Sequence, residues 1–248
     1  MTEHAVTPPA AVRRPRRRAS RGSGEQLRAE IVTATKDLLA AGAGVEEVSI
    51  RAVADAVGVT SPSIYLHFAD KDALIEAVVA DVFNSLDAAM LAAAVDQPKP
   101  LERLCAFGLA YVQFALDHPE HYRIATMSRL GLHGEAGDID HVLADGAFTH
   151  LLETVQACMN AGIFAEADPL PVALHMWAAA HGIASLMITK PFLPWGEDKL
   201  AAANGALRAA ALGHAVNDLM GGNMTPGDVE TWLAAQRHSP RRSQRRSR

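Results

Sequence analysis

The chain has 248 residues, 49% hydrophobic and 5% aromatic, enough for a sizeable core in one or two domains. It has no unbroken run of about 18 apolar residues, no apolar stretch behind its arginine-rich start, and only two cysteines, Cys105 and Cys158; a membrane span, a secretory signal and a disulfide framework are not expected, and a reducing cytoplasm fits. The net charge of −5 hides two basic ends: residues 1–28 carry seven Arg against two Glu, 237–248 carry six Arg and no acid, and 29–236 is net −16.

In chain order, residues 1–22 read as a disordered Arg-rich arm able to neutralise phosphates, with a merely solubilising tail left open. Ser23 followed by Gln26 is a capping-box signature, and the helix it opens places Leu27, Ile31, Ala34 and Leu38 on one face before stopping near Gly42. Ser49 can cap a short helix with Ile50, Val53, Ala54 and Val57 on its apolar face. Gly58-Val59 breaks it, because glycine tolerates a backbone angle costly to other residues. Thr60 can cap a second helix with Pro62 in its first turn, and Ile64 and Phe68 face inward. Two short helices around a glycine turn form a helix-turn-helix pattern. At about 100° per residue, Pro62 and Leu66 lie opposite Ile64, flanked by Ser63 and Tyr65. Such side chains suit phosphates, base edges and thymine methyls better than open solvent. A helical hairpin inside a bundle remains the plainer reading of the spacing.

Asp70 caps a long helix with an apolar stripe through Leu74, Ile75, Val78, Val79, Val82, Phe83 and Leu86. Gln97-Pro98-Lys99-Pro100 ends it and marks a domain joint. Helices follow at Leu101–Leu116 and from Pro119, then a polar Gly131–Asp138 loop, and a helix from about Ile139 to Ala161, disturbed at Gly146. Asp168-Pro169 opens a helix to about Thr189, Leu200–Met220 is alanine-rich and helical, and Thr225-Pro226-Gly227-Asp228 opens a last helix carrying Trp232 and Leu233. No alternating strand pattern competes. The expected class is all-α, about nine to ten helices: a three-helix helix-turn-helix domain over 23–85, a larger bundle over 86–236, and a basic disordered tail over 237–248.

The stretch from Gln26 to Ala80, with IVTATKDLLAAG and then VSIRAVADAVGVTSPSIYLHFADKDALIEAVV, resembles the N-terminal domain of TetR/AcrR-family transcriptional regulators. The resemblance places Arg51 on the first helix, Ser61, Pro62, Ser63, Tyr65, Leu66 and His67 on the second, and Lys71 after it at the family's DNA-contacting positions; Thr60, at the cap, completes the candidate DNA-binding set. Relatives often carry a polar, basic or aromatic residue at the Leu66 position, so base readout here leans on apolar contact. The segment His175–Leu186, with Trp177 and His181-Gly182, looks like part of a WHG-type C-terminal domain, and HPEHYRIATM at 118–127 like an earlier part of it.

The resemblance implies a cytoplasmic homodimer on double-stranded DNA with a palindromic operator, most simply a repressor, released by a small-molecule effector and using no membrane; a small hydrophobic or aromatic effector is preferred, and the acidic C-terminal domain leaves room for a cationic one. It also suggests that the helices near 169–189 and 200–220 pack against their dimer mates. Phe107, Tyr111, Phe114, Tyr122, Met127, Phe148, Met159, Met176, Trp177 and His181 are candidates for an apolar effector pocket, although the same side chains also simply fill a core. No cofactor is implied. Eleven histidines carry no metal-ligand spacing, and no phosphate loop or nucleophile elbow occurs, so neither a metal site nor an enzyme is expected. Two rivals stay open: an architectural DNA protein relying on its basic tails, and a helical binding protein or enzyme that merely inherited the fold and reads no DNA sequence.

Overall fold

Local capping chemistry sets most helix ends. The computed structural model describes residues 23–41, 47–127, 146–222 and 225–238, and among them ten helices and no strand. These are α1 (Ser23–Ala40), α2 (Ile50–Val57), α3 (Ser61–Tyr65), α4 (Lys71–Ala94), α5 (Pro100–Asp117), α6 (Pro119–Met127), α7 (Gly146–Asn160), α8 (Pro169–Thr189), α9 (Lys199–Leu219) and α10 (Pro226–His238). Ser49 accepts from the Ala52 amide at 3.1 Å, Asp70 from Ala73 at 2.8 Å, Asp168 from Leu170 at 3.0 Å and Asp198 from Ala201 at 2.9 Å. Each bond satisfies a first-turn donor that has no partner inside its helix. Thr225 and Asp228 cap α10 reciprocally, each side chain accepting from the other's backbone amide. The arm 1–22, the Ser23 side chain, the Gly42 stop, the Gly131–Asp138 loop, residues 139–145 and the tail beyond His238 lie outside the described residues.

The chain divides into two compact units. The first takes its described residues from 23–85 and 118–127. Its core joins Ile31, Val53, Ile64, Phe68, Leu74, Ile75 and Val78 with Ile124 of α6. Each fully buried aliphatic side chain contributes roughly 1.5–3 kcal/mol over leaving it exposed. The inner face of α1 is rotated from the expected one: Ile31, Val32, Thr35 and Leu39 are buried, whereas Ala34 and Leu38 are half-buried. Thr35 is tolerated there because its hydroxyl donates to the Ile31 carbonyl at 2.8 Å. Lys36 pairs with Asp81, tying α1 to α4. HPEHYRIATM therefore packs with the helix-turn-helix unit, against α1.

The second unit takes residues 86–117 and 146–238. Its centre is α5, packed by α7, α8 and α9. Leu104, Phe148, Val155, Cys158, Phe164, Val172 and Ala211 form the core around it. Asp87 accepts from His150 Nδ1 at 2.8 Å beside the start of α7, where a Cβ on Gly146 would meet the same carboxylate at 2.9 Å. Cys158 is buried and Cys105 half-buried, both as free thiols. By length and mean hydropathy alone, 1.5 over a stretch of α4 and 1.4 over one of α8, two of the described helices are apolar enough to cross a membrane. Their apolar residues are those a bundle core demands: Leu74, Ile75 and Val78 on α4, Val172, Ala173, Ala180, Ala184 and Met187 on α8, all buried.

Candidate nucleic-acid interface

Within the first unit, α2 ends because Gly58 adopts φ +78°, ψ +31°, the left-handed region, and both Gly58 and Val59 donate to the Ala54 carbonyl. The chain re-enters a helix at Ser61 with Pro62 in the first turn. The Thr60 hydroxyl does not cap the backbone as expected; it hydrogen-bonds the Ser63 hydroxyl at 2.9 Å. The second helix is also shorter than expected, ending at Tyr65, with His67 and Phe68 donating to the Ile64 carbonyl in a tightened last turn.

This turn separates two faces sharply. Ile64 is 0% and Phe68 4% exposed, whereas Tyr65 is 54% and Leu66 84% exposed. Pro62, Arg51 and Thr60 are exposed with them; Ser61, Ser63, His67 and Lys71 are half-buried. Eight of the nine candidates lie on α2, α3 and the turns flanking them, Lys71 opens α4, and six of the nine fall within Thr60–Leu66. His67 lies toward the start of α1, where a Cβ on Gly24 would meet its ring at 3.9 Å. Sequence reasoning missed Arg28, whose guanidinium stands 4.9 Å from the centre of the Phe68 ring. Its signal was the basic run that leads into α1. From residue 29 to 95 only Lys36, Arg51 and Lys71 are basic, and Lys36 is engaged by Asp81.

The candidate effector residues separate. Phe107, Tyr111, Phe114, Phe148 and Met159 are buried in the second unit, and Met176, Trp177 and His181 are half-buried there. Tyr122 is buried in the first unit, and the Met127 side chain lies outside the described residues. Trp177 meets Phe148 edge-on at 5.8 Å and His181 at 6.3 Å, and the Tyr111 hydroxyl meets His181 Nδ1 at 3.1 Å. Burial holds His181 below its ordinary pKa, so its neutral ring suits this contact. A concavity of about 520 Å³ lies between α5 and α9, and one of about 480 Å³ between α1 and α4; none of these candidates lines either. His118 and His121 stack at 5.8 Å, but no three His, Cys, Asp or Glu side chains among the described residues are placed to hold a metal.

Residues 31–78 match the family described as bacterial regulatory proteins, tetR family. Residues 104–210 match the tetracyclin repressor-like C-terminal domain, a range containing both segments of the WHG-type resemblance. Among solved structures, a Rhodococcus sp. RHA1 protein of unknown function is 26% identical, with 82% of this chain and 100% of that one covered and a TM-score of 0.65. A TetR-family transcriptional regulator from Pectobacterium atrosepticum is 24% identical over 78% and 95%, TM-score 0.55. A TetR family transcription regulator from Marinobacter aquaeolei VT8 is 18% identical over 77% and 98%, TM-score 0.60. No curated protein matches the chain.

Proposed function

The chain belongs to the TetR family of bacterial regulatory proteins, a DNA-binding transcriptional regulator, and from that we propose a homodimeric repressor of a palindromic operator. The observation that carries the reading is the outward display of Tyr65 and Leu66 from a turn anchored by buried Ile64 and Phe68. An anchored turn fixes where those side chains meet the groove, so little ordering remains to oppose binding. Exposed apolar side chains favour thymine methyls, while Ser61, Ser63 and Arg51 take phosphates or base edges.

The dimer reading is supported by α8 and α9. Leu174 and Leu186 on α8 and Leu212, Val216 and Leu219 on α9 are exposed. Apart from their own helix backbone, Gly182, Gly205 and Gly213 have no atom within 4 Å of where a Cβ would stand, room for a second helix to approach closely. Two copies joined there carry two readers, whose separation sets the half-site spacing. A small hydrophobic effector in the second unit releases the operator by binding more tightly to the dimer whose readers no longer match that spacing, and only that difference in affinity shifts the balance. The arm 1–22 supplies the positive charge that the acidic reader lacks.

Replacing Tyr65 and Ser63 together by Ala tests the recognition helix. Specific binding is expected to fall at least tenfold while the dimer survives, since each base contact is worth about 1–3 kcal/mol of discrimination. Unchanged specific binding would overturn the assignment.

A further inference from the structure

The concavity of about 520 Å³ in the second unit is unlike the aromatic core beside it. Its volume lies within the ~300–1,000 Å³ of small-molecule sites. Leu101 and Leu109 of α5 and Leu212 of α9 give it apolar walls, Arg208 and Asn204 of α9 add polar groups, and the Cys105 thiol opens onto it. Arg208 makes no hydrogen bond or ion pair among the described residues. Its charge is nevertheless felt at Cys105, where burial pushes the thiol up and the guanidinium pulls it partly back. The other charged residue of the lining, Glu102, is paired with Lys99 at 2.9 Å. The concavity thus offers one uncommitted cation above apolar walls, in a chain whose middle is strongly acidic.

We propose that this concavity binds a small monocarboxylate with an apolar body, its acid group gripped by Arg208. The guanidinium fork matches a carboxylate through two parallel hydrogen bonds, with the Asn204 amide beside it. A single cation balances a single negative charge, whereas a dianionic phosphate would keep one uncompensated. The apolar chain then covers Leu101, Leu109 and Leu212 and shields the Cys105 thiol. This deepens the effector-responsive reading and rests on it. Leu212 also lies on the exposed apolar face of α9, so a ligand here sits at the edge of the surface proposed to meet the second copy.

The test uses the full-length protein with octanoate and 1-octanol as probes, titrated calorimetrically, together with iodoacetamide labelling of Cys105 read by peptide mass spectrometry. Octanoate is expected to bind at least tenfold more tightly than octanol and to slow Cys105 labelling. R208Q should abolish the preference, a loss of about tenfold or more for a charged hydrogen bond, and R208K should restore part of it. Equal binding of the two probes, an unchanged preference in R208Q, or Cys105 protection that tracks protein concentration with no probe present would overturn the site, the last because the second copy then covers it. Release from a selected duplex is scored separately: octanoate that binds through Arg208 without releasing DNA supports the site and removes the effector reading, whereas octanoate that does not bind removes the site alone.

Discussion

The Tyr111 hydroxyl on α5 and His181 Nδ1 on α8 stand 3.1 Å apart, joining two helices that the sequence separates by 70 positions. Burial lowers the His181 pKa below 6.5, and His121 moves the same way through burial and its Lys36 and His118 neighbours. A base whose folded pKa is depressed contributes fully above its unfolded value and loses that contribution as pH falls through 6.5 toward the folded value. The melting temperature should therefore decline between about pH 7 and 5, and less steeply in H181Q. An identical slope in H181Q would contradict the neutral-ring assignment.

Two glycines are required for different reasons, and substitution separates them. Gly58 has open space but a positive φ, so G58A should cost about 1 kcal/mol through backbone strain alone. Gly146 has no positive φ, but its Cβ would collide with Asp87 and disturb the bond to His150. G146A should destabilise by about 1 kcal/mol, and by much less in a D87A background, because the two residues share one interaction. Additive losses in denaturant melts would show that the collision is relieved elsewhere.

At the proposed dimer surface, G213R places a long cationic side chain where α9 has open space. Sedimentation should show the dimer weakened to monomer, and specific DNA binding lost with it while the helical content stays. A G213R dimer as tight as the parent would move the interface off this face of α9.

Deleting residues 1–22 removes six Arg and one Glu. The slope of log affinity against log salt should flatten by about 0.9 for each phosphate the arm neutralises. An unchanged slope would leave the arm without a role in DNA binding.

How far the sequence could be read follows the range of each interaction. Ser49, Gly58, Asp70 and Asp168 act within four residues of themselves, and their roles were legible from local chemistry. Thr60 misled because a second hydroxyl, Ser63, lies within its reach and competes with the backbone. Thr35 misled because a polar residue sits at 0% exposure once it bonds its own helix. The placement of Ile124 in the helix-turn-helix core has no local signal, since it depends on α6 returning to α1. The placement of Arg208 and Cys105 on one concavity is equally non-local. The outward Tyr65 and Leu66 were legible because one turn of helix fixes which side chains oppose a buried Ile64.

The most direct measurement is selection of bound sequences from a random duplex pool by the full-length protein at near-physiological salt. A palindrome is expected, with half-site centres about one helical turn, or a multiple of it, apart, lost when Tyr65 and Ser63 are replaced by Ala. A pool with no shared motif, or a motif without two-fold symmetry, would contradict a dimer that reads its operator through α3.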